Sequence, residues 1–347
     1  MFEYVGSIHI HSKFSDGSGN ADEIAEIANE VGLDFIILTD HNTLRALHEG
    51  FEKWYGNTLL LVGTEINDKV NKNHYLAMNI EKTFSTRLTA KDYVKKVKDA
   101  GGIGFIAHPF ENRHSMKEHP PYPWTDWDAG EFTGMEIWNH MSEWMEGLTE
   151  QNKYNHFVHP LRSIEGPKKE TLAKWDELNK VRKVVGIGGI DAHAHKVNVL
   201  GFVEVEVFPY KVLLKSIRTH ILTDKRLPKK ENDISTAKQI IYKNLSNGRC
   251  FFANHYHGDA KGFRFFANDG EKKYQMGDII KSKESIKLKV ILPNVSAKVK
   301  LIHNGKEISS FENTEGSFIV QKKGQYRVEV YKNNKAWIFS NHIRIGN

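Results

Sequence analysis

Short apolar runs alternate with amphipathic stretches over the first two thirds of the chain. Residues 4–9, 35–39, 58–62, 103–107, 133–138, 183–188 and 249–253 are brief and rich in apolar side chains, and they predict strands. Residues 74–80 and 202–208 predict two more. Between the runs, apolar positions recur at helical spacing. Ile24, Ala25, Ile27, Ala28 and Val31 predict a helix over 21–31, capped by Asn20 with Glu23 three residues on and closed by Gly32. Further helices are predicted over 44–55, 89–100, 169–179, 210–219 and 235–245. Apolar strands that alternate with helices imply a parallel sheet covered on both faces. About seven repeats of the unit favour a closed (β/α) barrel over an open sheet.

From about residue 262 the pattern changes. Residues 262–268, 285–291, 297–303, 317–321, 325–331 and 337–345 read as short strands with no helix between them, separated by turns such as Asn304-Gly305, Lys323-Gly324 and Asn333-Asn334. This spacing predicts an antiparallel, Ig-like β-sandwich. The chain is therefore expected to be α/β over residues 1–258, with an all-β accessory domain over 259–347. The stretch 111–128, dense in Pro, Trp and His, is expected to be a long loop overhanging the barrel mouth.

A length of 347 residues suits two domains, and 39% hydrophobic residues supply a full-sized core. The 49 Lys and Arg against 43 Asp and Glu leave a net charge of +6, which suits a small anionic substrate. The basic residues are scattered, as at Lys281, Lys283, Lys287 and Lys289, so a nucleic-acid groove is not expected. The single cysteine, Cys250, excludes an internal disulfide and a thiolate zinc site, and its apolar neighbours predict a buried, inert thiol. No basic-then-apolar leader opens the sequence, and no apolar run approaches the roughly 18 residues of a membrane span. A cytoplasmic protein is expected.

The candidate chemistry lies at the ends of the predicted strands. His9 and His11, two apart on a strand, emerge on one face. His9, His11, Asp16, His41, Glu65, His108, Asp191 and His193 all fall at or just after a strand's C-terminal end, and His74 opens the short strand after Glu65. In a parallel barrel those ends converge where the active site is built. Imidazole and carboxylate without sulfur suit Zn, Mn or Fe. These are too many ligands for one ion, so two or three divalent metals are expected, with a carboxylate such as Glu65 bridging a pair. Asp40, beside His41, is placed to orient an imidazole from behind. His255 and His257, a second His-x-His near the domain join, are read as structural. Gly186-x-Gly188-Gly189 is read as tight packing before Asp191, since it lacks the Rossmann spacing.

As a set, His9-x-His11 with Asp16, Thr39-Asp40-His41, Gly63-Thr64-Glu65 followed by His74, Ala107-His108-Pro109 and Asp191-Ala192-His193 resemble the ordered motifs of the PHP (polymerase and histidinol phosphatase) superfamily. Glu136-Ile137-Trp138-Asn139, the run Gly188 to His193 and Phe339-Ser340-Asn341 resemble its CehA/McbA-like branch. The resemblance implies a distorted seven-stranded barrel with a polynuclear metal site acting mostly on phosphoesters. It also implies three sites: His9, His11, Glu65 and Asp191; Glu65, His74 and His108; and Asp16, His41 and His193. On this reading a hydroxide held between two metals attacks phosphorus, and His193 or His195 protonates the leaving oxygen, with Asp191 completing the catalytic set. Arg113, His114 and Asn139 are candidates to hold the substrate. The alternatives are a carboxylic or carbamic ester hydrolase, as some members of the branch are, and a glycan- or partner-binding protein with structural metals. A nuclease is disfavoured because no basic stripe with interleaved aromatics is present.

Overall fold

The computed structural model describes residues 1–114, 120–199, 203–229, 233–281 and 285–346. Strand β1 (Phe2–Ile10) is followed by helix α1 (Ala21–Glu30), where Asn20 and Glu23 form the anticipated capping box and Ala21, Ile24, Ala25 and Ala28 face the core. Then come β2 (Phe35–Leu38), α2 (Arg45–His48), β3 (Trp54–Tyr55), β4 (Thr58–Ile66), β5 (Tyr75–Met78), α3 (Ala90–Asp99) and β6 (Ile103–Ile106). The chain continues with β7 (Gly134–Asn139), α4 (His140–Gly147), α5 (Lys153–Val158), α6 (Lys169–Val181), β8 (Val185–Gly189), β9 (Lys196–Val199), β10 (Val203–Glu206), α7 (Tyr210–Leu213), β11 (Ile217–Thr223), α8 (Ile234–Asn247) and β12 (Cys250–Asn254).

The sheet is mixed. Strands run in the order β1-β2-β4-β5-β6-β7-β8, and β1 pairs on its other side with β11 and through it with β12. β1, β2 and β4 are parallel, as are β6, β7 and β8, but β5 is antiparallel to both neighbours. A helix-free connection from Ile66 to Tyr75 allows only a hairpin, so the expected all-parallel sheet is interrupted there. After β8 the chain returns to β1: Ile190 N donates to Ile8 O at 3.1 Å, and His11 N donates to Ala192 O at 2.9 Å. These bonds set the end of β8 beside the end of β1.

Several predicted elements differ. The helix over 44–55 stops after one turn, where Gly50 takes φ 81°, and Trp54–Tyr55 instead forms a hairpin with β4 around Gly56. The helix over 210–219 is also one turn long. Ile217, Thr219 and Ile221, buried β-branched residues at alternate positions, make β11 a strand. The strand over 202–208 is the short β10, paired only with β9 and outside the main sheet; Phe202 itself lies outside the described residues.

Ten strands complete the chain: β13 (Arg264–Asn268), β14 (Lys273–Gln275), β15 (Ile279–Ile280), β16 (Ile286–Ile291), β17 (Ala297–His303), β18 (Lys306–Asn313), β19 (Glu315–Val320), β20 (Gly324–Lys332), β21 (Lys335–Ser340) and β22 (Ile343–Ile345). β14-β13-β16-β19 form one antiparallel sheet, whose Phe265, Leu288 and Val290 share an apolar core with Val299, Leu301, Val328, Val330 and Trp337 of the other strands. That second layer is continuous with the main sheet, because β21 pairs with β12 from Phe251↔Ser340 to Ala253↔Ile338. β18, exposed along almost its whole length, has no apolar alternation to announce it and is specified by pairing with β17.

Polar contacts reinforce the junction. Asn341 Nδ2 donates to the carbonyls of Gly186 and Cys250, and Gly186 N donates back to Asn341 Oδ1 at 2.7 Å. The Cys250 thiol is buried and pushed up to about 12 by that burial. His255 Nε2 lies 2.8 Å from His220 Nε2, whose Nδ1 meets Glu3 at 2.8 Å, so this histidine is part of a structural network. On α6, buried Asp176 accepts two bonds from Arg327, at 2.9 and 2.7 Å, and one from His342 at 2.8 Å. Burial opposes ionisation of Asp176, but Arg327 and His342 outweigh it and hold the carboxyl well below its usual range. Asp176→Ala removes two of the bonds to buried Arg327 and leaves it only Glu329, at 2.7 Å, and is expected to cost about 3 kcal/mol in urea unfolding. Because the folded pKa is depressed, this contribution is present above the unfolded value of about 3.9 and is lost as pH falls below it.

Candidate metal centre

β1 delivers His9 and His11 by a route that regular pleating does not describe. The β1–β2 register shifts between Ile8 and Ile10, and His9 takes φ 67°. This bulge turns the His9 ring towards the same point that His11 reaches from just beyond the strand. His108, after β6, has φ 25°, and Asp191, after β8, has φ 52°. Left-handed backbone at non-glycine residues costs about 1–3 kcal/mol each and collects at functional sites.

Glu65, near the end of β4, is the centre of the cluster. Its Oε1 lies 2.8 Å from His74 Nδ1 and 3.2 Å from His108 Nε2. Its Oε2 lies 3.2 Å from His9 Nε2, 3.3 Å from His11 Nε2 and 3.4 Å from His41 Nδ1. Asp191 Oδ1 faces His9 and His11 at 3.4 and 3.3 Å. Asp16 faces His193 at 3.3 Å, His41 at 3.5 Å and His11 Nδ1 at 3.6 Å. Within these contacts, four sets have their donor atoms close enough to share a cation: His9-His11-Asp191, His9-Glu65-His108, His41-Glu65-His74 and His11-Asp16-His41-His193. The structure thus brings together all nine residues singled out as ligands, although His74 and His108 fall in different sets. His9, His11, Glu65, His74, His108 and Asp191 are buried, whereas Asp16 is half-exposed and His41 partly so, which places the entrance on their side.

The electrostatics are those of acids in need of positive charge. Burial opposes ionisation of Glu65, but His9, His41, His74 and His108 outweigh it and hold the carboxyl well below its ordinary value. Asp191 is lowered in the same way by His9, His11 and His193. Burial opposes charge on His11 and His108 too, yet the carboxylates around them raise these groups to about 10 and about 9. His41 goes the other way, to about 4, because burial dominates. Both ring nitrogens of His11, Nε2 of His74 and Nδ1 of His108 are buried without a hydrogen-bond partner among the described residues. Unpartnered imidazole nitrogens around clustered carboxylates are the donor set a divalent cation takes, so the residues present fit metal ions.

The remaining candidates are placed less uniformly. His195 is exposed and stacks on His193 at 5.1 Å, while His193 stacks on His11 at 4.1 Å. Arg113 pairs with Glu111 at 3.3 Å and lies over the Tyr122 ring, which stacks on His74 at 4.9 Å. The loop over 111–128 therefore does reach the cluster, although residues 115–119 lie outside those described. His114 is exposed and borders that segment. Asn139 is buried, and both ends of its amide are engaged: Oδ1 accepts from Ser142 N and Nδ2 donates to Glu136, each at 2.8 Å. In this arrangement it supports Glu136. Asp40 likewise orients no imidazole. Its carboxylate accepts from Ser12 N at 2.7 Å, Ser12 Oγ at 2.8 Å and Ser15 Oγ at 2.7 Å, and so shapes the loop that carries Asp16. Glu136 was legible only as part of a motif with no role attached. A lone carboxylate inside an apolar strand was the available signal, since such a group is buried only at a cost unless donors surround it.

An uncharacterized protein of Methanocaldococcus jannaschii is 25% identical over an alignment of 116 residues that covers 30% of this chain; the chain spans 66% of that relative's length. A two-domain Bacteroides vulgatus protein containing a predicted PHP-like metal-dependent phosphoesterase superposes with a TM-score of 0.45 at 15% identity, covering 98% of this chain and 95% of its own. A proposed metal-dependent phosphoesterase of Bifidobacterium adolescentis gives 0.33 at 16% identity, covering 58% of this chain and 92% of its own. Residues 7–119, which carry His9, His11, Asp16, His41, Glu65, His74 and His108, match the PHP domain family.

Proposed function

We propose that this chain is a metal-dependent hydrolase of small phosphomono- or phosphodiesters, in which residues 1–258 form a PHP-type barrel and residues 259–347 an accessory sandwich. One observation carries the proposal: the two oxygens of Glu65 each face their own imidazoles, His74 and His108 on one side and His9, His11 and His41 on the other. A carboxylate so placed would serve two cations at once, and the PHP match supports phosphoester chemistry.

The resemblance assigns His9, His11, Glu65 and Asp191 to one ion, Glu65, His74 and His108 to a second and Asp16, His41 and His193 to a third, whereas the donor distances group His108 with His9 and Glu65, and His74 with His41 and Glu65, so the second ion would take Glu65 with one of those imidazole pairs; Zn, Mn or Fe suits these donors. Bound metals supply Lewis-acid polarisation of a phosphoryl oxygen and a water acidified towards a pKa of about 7. The protein's own groups do the rest. The buried imidazoles and acids form the floor of the site. Asp16 and His41 at the entrance meet the incoming ester. His195, exposed beside His193, protonates the leaving oxygen, and Arg113, one ring from His74, offers positive charge to a phosphate. A cytoplasmic location belongs to the same proposal. Among the described residues, no helix is long and apolar enough to cross a membrane.

Purified protein loaded with Zn, Mn or Fe is expected to hydrolyse p-nitrophenyl phosphate or bis-p-nitrophenyl phosphate and to leave p-nitrophenyl acetate untouched. Cleavage of the acetate alone would replace the phosphoester reading with a carboxylic-ester one. Chelation is expected to lower the thermal midpoint, and metal restored at 1,000 times its Kd should return about 4 kcal/mol. His9→Ala and Asp191→Ala should lose activity and bound metal together, read by elemental analysis. His195→Ala should slow alkyl phosphates about 10²–10⁴-fold while sparing p-nitrophenyl esters, whose leaving group needs no proton.

A further inference from the structure

Glu136, in the middle of β7, is wholly buried, flanked by Met135 and Ile137 in an otherwise apolar run. Three donors converge on it. His9 Nδ1 lies 3.0 Å from Oε1, the backbone N–H of His108 donates to Oε2 at 2.9 Å, and Asn139 Nδ2 donates to Oε2 at 2.8 Å. The Asn139 amide is held in that orientation because its oxygen accepts from Ser142 N. A backbone N–H and an amide NH₂ only donate, so Glu136 must present acceptors to both. Where Oε1 accepts as well, as in a carboxylate, the proton between Glu136 and His9 lies on Nδ1. That leaves His9 Nε2 to point at Glu65 and Asp191, 3.2 and 3.4 Å away.

Space for this carboxylate is kept by Gly189 at the end of β8. A Cβ there would lie 1.9 Å from Glu136 Oε1 and 3.0 Å from the His9 Cβ. The same carboxylate also ties down the backbone of His108, at the residue whose φ of 25° is least favourable in the cluster. Two rings from different strands are thus aimed by one buried group.

We propose that Glu136 is the positioning residue of the metal centre. It selects Nε2 of His9 as the metal-binding nitrogen and holds the strained backbone of His108, and residue 189 is glycine to leave room for it. The inference rests on the reading of the cluster as a metal site but not on the choice of ester.

Glutamine at 136 keeps the shape and removes the logic. If its NH₂ faces His9, Nδ1 must accept and the proton moves to Nε2, the nitrogen the metal needs. If it turns round, the NH₂ meets the donors of His108 and Asn139. Glu136→Gln is therefore expected to weaken metal binding about 10–100-fold, the usual effect of losing a carboxylate behind a metal-bound histidine. Gly189→Ala, which displaces the carboxylate, should weaken it in the same direction. The measurement is zinc competition against a chromophoric chelator on metal-stripped protein, with circular dichroism to show that each variant is folded. Glu136→Gln protein that binds zinc as tightly as the unaltered protein overturns the proposal, whatever Gly189→Ala does. Unaltered protein that binds no zinc, manganese or iron overturns the metal reading itself and this inference with it. Absent phosphoesterase activity with intact zinc binding touches only the choice of reaction.

Discussion

A carboxylate shut away from water among five imidazoles is the constraint on which this structure turns. Glu65 contributes no apolar packing, and its desolvation would be a heavy penalty in an empty protein interior. It is tolerable because positive charge surrounds it, from protonated rings or from cations that take the rings' lone pairs. The second alternative also accounts for the histidine nitrogens left without partners and for the two further carboxylates, Asp16 and Asp191, drawn to the same rings. Neutralising three acids with metal ions needs only that the donor atoms be aimed, and the surrounding protein is arranged to aim them.

That aiming is done by groups that never reach the cluster's centre. Glu136 holds His9 and the backbone of His108, and Asp40 ties Ser12 and Ser15 so that Asp16 projects over the entrance. Left-handed backbone at His9, His108 and Asp191 shows the cost of bringing side chains from separate strands to one point. The buried hydrogen bonds beneath them resist relaxation of that strain.

The C-terminal strands take part in this support. β21 extends the main sheet from β12, Asn341 stitches Gly186 of β8 to Cys250 of β12, and Arg327 and His342 clasp Asp176 on α6. β8 ends two residues before Asp191, so the accessory strands brace one of the elements that present the site. An added sheet that shares hydrogen bonds with the first is harder to shift than a tethered module.

Much of the architecture was legible in residue order. Short apolar runs marked most strands of the main sheet, Asn20 and Glu23 marked the start of α1, and polar residues at strand ends marked all the side chains that gather around Glu65. These are local signals, carried by neighbours within a turn or a few residues. What failed locally also did so for local reasons: one-turn helices before β3 and β11 lost to glycine and to alternating β-branched residues, and β18 sends only Phe311 against the accessory core. By itself the sequence determined which chemical groups the protein owns and which strand ends present them. Only the tertiary structure decided that β5 runs antiparallel, that Asn139 and Asp40 support the site from behind, and that Glu136 meets a histidine 127 residues earlier in the chain. Such pairings depend on distances through space between strands, and no periodicity along the chain encodes them.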